Sequence, residues 1–262
     1  MTRIIRAELI RAVRPRPLAV ALSAAIGFAL IASLTVLSSA ADVAVASRRG
    51  GTTLDRVLGA GGATEPFAVA ASFAGFLVFV SFIALIANEF SGGTFRALVQ
   101  REPHRLRVIV GKLIALLIVA AGVIAVMEVF SVVASLLVAP GQNVSTEGWI
   151  SLDGLGYAVR DYASVIAGVT GWAVFGTVLA VIFRSAPLAL GVGFAWAGPF
   201  ENIVADSWET GIRVFPGQVF GTLMRGGTVE LGMSRALLTA ALYAGLAAVV
   251  ALALVRQRDI TA

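Results

Sequence analysis

Residues able to do chemistry are few and scattered in this sequence. There is no cysteine, which removes disulfides and thiolate metal sites. The single histidine, His104, sits in a basic stretch with no set of Asp, Glu or Cys converging on it, so it reads as a surface residue and no metal site is expected. No Gly-x-x-x-x-Gly-Lys-Ser/Thr phosphate loop is present, nor His-Glu-x-x-His, Gly-x-Ser-x-Gly or Cys-x-x-Cys. The chain is therefore expected to be no enzyme and to bind no cofactor of its own. Two acids stand out instead. Glu128 and Glu201 fall within or at the edge of strongly apolar runs, where an ionisable group is a functional candidate by default. Glu128 lies about 30 Å along a helix from Val108, at about 1.5 Å per residue, so near an interface where it could pair with Arg160 or Arg225. Glu201 follows Pro199, where capping or pairing is expected. Both are candidate intramembrane polar or outer-gate residues.

The elements that hold these residues are set by hydrophobicity. Apolar residues make up 58% of the chain and charged ones 13%, about half the charge of a soluble domain. Six stretches are long enough to cross a hydrocarbon core about 30 Å thick: Leu18–Ala40, Phe67–Ala87, Val108–Val138, Ala163–Phe183, Ala186–Val204 and Ala236–Val255. In lipid the backbone must satisfy its own hydrogen bonds, so these segments are helices. The fold class is an all-α polytopic membrane protein, a single permease-like domain over residues 1–262. The isoelectric point near 10.6 does not point to nucleic acid, because the basic residues flank the spans and suit anionic lipid.

With both termini on one side, thirteen of the 20 basic residues lie on that side, which the positive-inside rule assigns to the cytoplasm. No cleavable signal is expected, since Leu18–Ala40 exceeds the usual 7–15 residue signal core of about that length. Residues 2–16 alternate apolar Ile5, Leu9 and Val13 with Arg3, Arg6, Arg11 and Arg14 at helical spacing, which predicts an interfacial helix broken by Pro15 and Pro17. Residues 199–234 are too apolar for a solvated loop and too interrupted for a span. They read as short outer re-entrant helices, with the fifth span ending at Gly198-Pro199.

The loop from Asn88 to Arg107 carries the most information. Gly92 and Gly93 permit a sharp turn, Thr94 can cap a helix, and Phe95, Leu98 and Val99 form a short apolar ridge between Arg96 and Arg101 until Pro103. Glu89, Gly93, Thr94, Arg96, Leu98, Pro103, Arg105 and Lys112 together resemble the loop pattern of type-2 ATP-binding cassette (ABC) exporter permeases. The chain departs from it at Pro103-His104-Arg105, where that family more often has Ser before Arg. The resemblance implies that residues 89–107 hold a coupling helix, with Glu89, Gly93, Thr94, Phe95, Arg96, Leu98, Pro103 and Arg105 contacting or positioning a separate ATPase. It further implies two copies of an ABC ATP-binding subunit, with ATP and Mg bound there, and a homodimer or a heterodimer with a similar permease. The setting it implies is a bacterial plasma membrane.

The leading expectation is thus an exporter subunit moving an amphiphilic or lipophilic substrate. The alternatives are an ion-gradient-driven transporter or channel, which calls for several buried ionisable groups, and a membrane scaffold without an ATPase. Single-cysteine labelling tests the topology: positions 11 and 101 should be shielded from an external thiol reagent, and 49, 153 and 209 labelled. External labelling at 101 would invert the arrangement.

Overall fold

The computed structural model describes residues 1–39, 57–101, 105–208 and 210–257. Among them, six helices are long and apolar enough to cross a membrane, and the chain is a polytopic helical membrane protein. Helix α1 (Thr2–Ala12) is followed by α2 (Pro15–Ser39), α3 (Glu65–Ser91), the short α4 (Thr94–Arg101) and the long α5 (Arg105–Val138). Then come α6 (Leu152–Phe183), α7 (Ala186–Ala195), α8 (Glu201–Ser207), α9 (Gly211–Val214), α10 (Pro216–Met224) and α11 (Met233–Gln257).

Local chemistry explains where the helices start. Pro15 opens α2 and Pro66 lies in the first turn of α3, positions where no helical N–H is lost. Helix α6 begins well before the apolar run expected from hydropathy. The Ser151 hydroxyl accepts from the Gly154 N–H at 3.0 Å, capping a polar first turn that hydropathy alone passes over. Pro199 does not end the fifth span. A single wide turn over Trp196–Phe200 accommodates its missing N–H, and the helix continues through α8 to Ser207. The short helices therefore begin only after Ser207.

Helix α6 is the centre of the bundle. Its most apolar window is 61% buried, against 11% for α11. Helix α3 packs along it on one side and α10 and α11 on another, while α2 pairs with α5. The core gathers Phe67, Phe79, Val169, Trp172, Phe220 and Met224. Phe79 and Phe175 stack with centroids 5.5 Å apart, and Trp172 meets Phe220 edge-on at 5.5 Å. The outward faces carry large apolar side chains such as Ile31, Leu137 and Leu246, as a bundle solvated by lipid requires.

Two glycines of α6 create the seat for α10. A Cβ on Gly168 would run into Met224 and the Phe220 carbonyl, and one on Gly171 would lie 2.5 Å from the Phe220 ring. Only a surface without side chains lets α10 lie so close. Gly171→Leu is expected to lower the thermal unfolding midpoint of the purified protein, by overpacking of about 1–3 kcal/mol. Gly122→Leu, where a Cβ meets nothing within 4 Å, serves as the control and should unfold like wild type. Equal midpoints for the two variants would show that α10 is not seated as described.

Candidate functional site

At the end of the bundle that carries the N-terminus, four charged side chains from three helices meet. Glu8 and Arg11 are one turn apart on α1 and share a face. Glu89 lies near the end of α3, and Lys112 two turns into α5. Lys112 Nζ donates to Glu8 Oε2 at 2.6 Å and to Glu89 Oε1 at 2.6 Å. Arg11 donates to the same Glu89 oxygen at 2.7 Å. Glu8, Glu89 and Lys112 are 8%, 4% and 6% exposed, so the centre of the cluster is shut off from solvent. Arg11 is half exposed and closes the outer edge. Two carboxylates face two cations, and the buried charge balances.

Apolar packing frames the cluster. Gly111 allows α1 to lie directly on α5, since a Cβ there would approach Ile4 to 2.8 Å. Ile4 joins Phe90, Phe95, Leu98, Leu106, Val108, Ile109 and Val181 in one apolar group. The Arg184 guanidinium sits over the Phe90 ring, 5.8 Å from its centroid. Helix α4 leaves α3 through a tight turn in which the Gly92 N–H returns to the Asn88 carbonyl at 2.8 Å. Gly93 follows with φ +70°, a conformation that side chains resist.

The structure revises two expectations for this loop. Thr94 lies inside α4, and its hydroxyl donates to the Glu89 carbonyl at 3.4 Å, tying the helix back to α3 instead of capping it. Phe95 is 6% exposed and packs against Phe90 with tilted rings, centroids 4.4 Å apart, so it anchors α4 to its own bundle and does not project as a ridge. Leu98 turns the same way and is partly covered. Pro103 lies outside the described residues, as do the side chains of Arg96 and Arg105. Sequence reasoning placed Glu89 and Lys112 in one motif without pairing them, read Arg11 only as the polar face of the first helix, and passed over Glu8. The available signals were that Glu8 is the one acid before Asp42 and Lys112 the one lysine in the chain.

The two intramembrane acids lie elsewhere. Glu201 is fully buried against Gly217, at the first turn of α10, in a capping position. The N–H groups of Gly217 and Gln218 and the Trp196 indole are the donors within its reach, yet neither carboxylate oxygen is hydrogen-bonded at close geometry. The indole N–H of Trp172, which also touches Gly217, is likewise buried without a partner. Glu128 is half-buried, and its Oε1 has no hydrogen-bond partner. It lies within electrostatic reach of Asp161 and Tyr162, and among the described residues it forms no ion pair with Arg160 or Arg225. Both arginines are drawn to a cleft instead. Among the described residues no cluster of His, Asp or Glu is arranged to hold a metal.

A family model described as protein of unknown function (DUF2705) matches residues 25–261. No curated protein matches the chain.

Lys112 is the residue on which the cluster turns. Lys112→Met takes from buried Glu8 its lysine partner and leaves Glu89 with Arg11, and is expected to cost about 3–5 kcal/mol. Thermal unfolding should report the loss, and trypsin should cut faster after Arg6 and Arg11 as α1 lifts. Adding Glu8→Gln and Glu89→Gln to Lys112→Met should recover most of the midpoint. Wild-type unfolding and proteolysis of the single variant would mean that α1 is held by its apolar contacts alone.

Proposed function

As a chain that belongs to the DUF2705 family and folds as a six-span helical bundle, this protein is, we propose, the permease subunit of an ATP-driven exporter. In this reading α1 lies in the membrane interface, α4 is the coupling helix, and the short helices after Ser207 are re-entrant from the outer side. Two copies of the chain, or this chain and a similar permease, form the path. Two soluble ABC ATP-binding subunits supply ATP and Mg on the cytoplasmic side, where both termini lie. The cargo is amphiphilic or lipophilic, in keeping with a bundle core built of Ala, Phe, Val and other apolar residues.

One observation carries this reading. Helix α4 is braced to its own bundle by Phe95 and Thr94, while Glu89, at its root, is locked to α1 and α5 through Lys112 and Arg11. A push on α4 would therefore be felt by α1, α3 and α5 as one body. That is the mechanical requirement for turning ATPase closure into a tilt of the spans. With Phe95 turned inward, the docking face falls to the opposite side of α4, where Gln100 is exposed. Arg96 is proposed to add salt-sensitive attraction, and Gly93 to set the angle at which α4 leaves the membrane.

A second reading, a transporter driven by an ion gradient, draws its support from Glu201. A buried acid with unsatisfied oxygens inside a span is the kind of group such transporters use. Affinity purification of the chain from its own membranes separates the two. On the exporter reading, a soluble ATPase co-purifies, and Arg96→Glu with Gln100→Glu lowers its recovery about tenfold, a loss of roughly 1.4 kcal/mol. Recovery without any ATPase, together with uptake or efflux that follows an imposed ion gradient, would replace the exporter with the second reading.

A further inference from the structure

Among the described residues three carboxylates are less than a tenth exposed: Glu8, Glu89 and Glu201. The first two face Lys112 and Arg11. Glu201 is fully buried and faces no cation among the described residues. Its surroundings are the first turn of α10, where a Cβ on Gly217 would run into Glu201 Oε2, the edge of the Trp172 ring beside the same glycine, the Trp196 indole, and Tyr243 of α11. The Tyr243 hydroxyl is already given to the Val214 carbonyl. Both carboxylate oxygens are left without a hydrogen-bond partner. A buried carboxylate with neither a counter-charge nor full hydrogen bonding is strongly disfavoured, so what this position lacks is a partner of opposite sign.

Trp196 connects this buried acid to the outside of the bundle. Its indole N–H is within reach of the carboxylate, while the ring is 41% exposed on the face where Phe194, Phe200 and Ile203 meet the lipid. The residue opens the wide turn Trp196–Phe200 around Pro199, and such turns within helices frequently mark functional sites. Its ring rests on the exposed Phe200, centroids 4.8 Å apart, so nothing in the core locks it. Glu201 lies about 22 Å along the span from Ala186 at about 1.5 Å per residue, inside a core about 30 Å thick. A cation that reaches this depth from the side must carry an apolar body. The aromatic rings suit an organic cation, which they attract through their faces. A metal ion finds no cluster of Asp, Glu or His among the described residues to complete its shell.

We propose that Glu201 is the counter-ion of a lipid-facing site for an amphiphilic organic cation, with Trp196 as the side chain that covers it. The proposal rests on the exporter reading only in calling that cation the cargo; binding itself needs no ATPase. The test is equilibrium dialysis of the full chain, purified in a neutral detergent, with tetraphenylphosphonium as the probe. Tetraphenylborate, of the same shape and opposite charge, is the paired probe, and empty micelles are the blank. The wild-type chain should bind the phosphonium saturably and the borate not at all. Glu201→Gln should weaken phosphonium binding about tenfold, the effect of one charged contact. Asp206→Asn, exposed on the same helix, should keep the wild-type affinity. Trp196→Ala should raise the rate at which the probe enters. Equal binding of the two probes by the wild type, or saturable binding of neither, would overturn the proposal without any variant having to fold. So would a Glu201→Gln chain with wild-type unfolding midpoint and undiminished affinity, and an unchanged entry rate in Trp196→Ala would remove that residue as the cover. Saturable phosphonium binding by a chain that recovers no ATPase supports the site while the exporter reading fails. Recovery of an ATPase without saturable binding removes the site alone.

Discussion

A lysine ammonium held between two buried carboxylates ties together the end of the bundle that carries the N-terminus. Lys112 is covered by helices on every side, and a lone charge so placed would be prohibitive. Glu8 and Glu89 remove that cost only when α1, α3 and α5 are in register, and Arg11 completes the balance from the solvent edge. Such a cluster adds little net stability over an apolar plug of similar shape. What it adds is intolerance: no neighbouring register of α1 on α5 leaves all four groups matched. The amphipathic pattern of α1 alone would leave its position along α5 open. The ion cluster gives it one position, and Gly111 lets it come close enough to reach that position.

The six spans were legible because hydropathy and length are themselves the physical requirement for crossing lipid. Their ends were less so. Residues Leu152–Tyr162 are helical although polar, because a serine cap and a neighbouring helix satisfy what hydropathy does not register. Pro199 misled in the other direction. The rule that proline ends a helix assumes a regular ladder of hydrogen bonds, and the wide turn at Trp196–Phe200 steps around it.

The loop after α3 shows a different limit. Its apolar face was visible at helical spacing, but the pattern does not say which surface covers it. Phe95 is grouped with Phe90, Val108 and Val181, which come from three other helices. The tetrad was hidden for the same reason. Glu8 is separated from Glu89 and Lys112 by whole spans, Glu89 from Lys112 by α4, and only the packing of α1 on α5 brings all three together. Glu89 and Lys112 both stood in one motif, which records their places and not their contact.

The two ends of the molecule differ in how completely their charges are used. Near the termini the buried charges are matched, the aromatic group of Phe90 and Phe95 is packed, and the turn at Gly93 is held by hydrogen bonds. Towards the far end Glu201 and Glu128 keep unsatisfied oxygens, and Arg160 and Arg225 stand beside a cleft without ion partners among the described residues. Saturated polar groups make a structure rigid, since every alternative arrangement forfeits a bond. Unsaturated ones have bonds to gain from rearrangement or from a ligand. The bundle is therefore more constrained around Lys112 than around Glu201 and Glu128. Between them runs α6, the most deeply buried span, whose glycine face carries α10 and whose first turns carry Arg160 and Asp161.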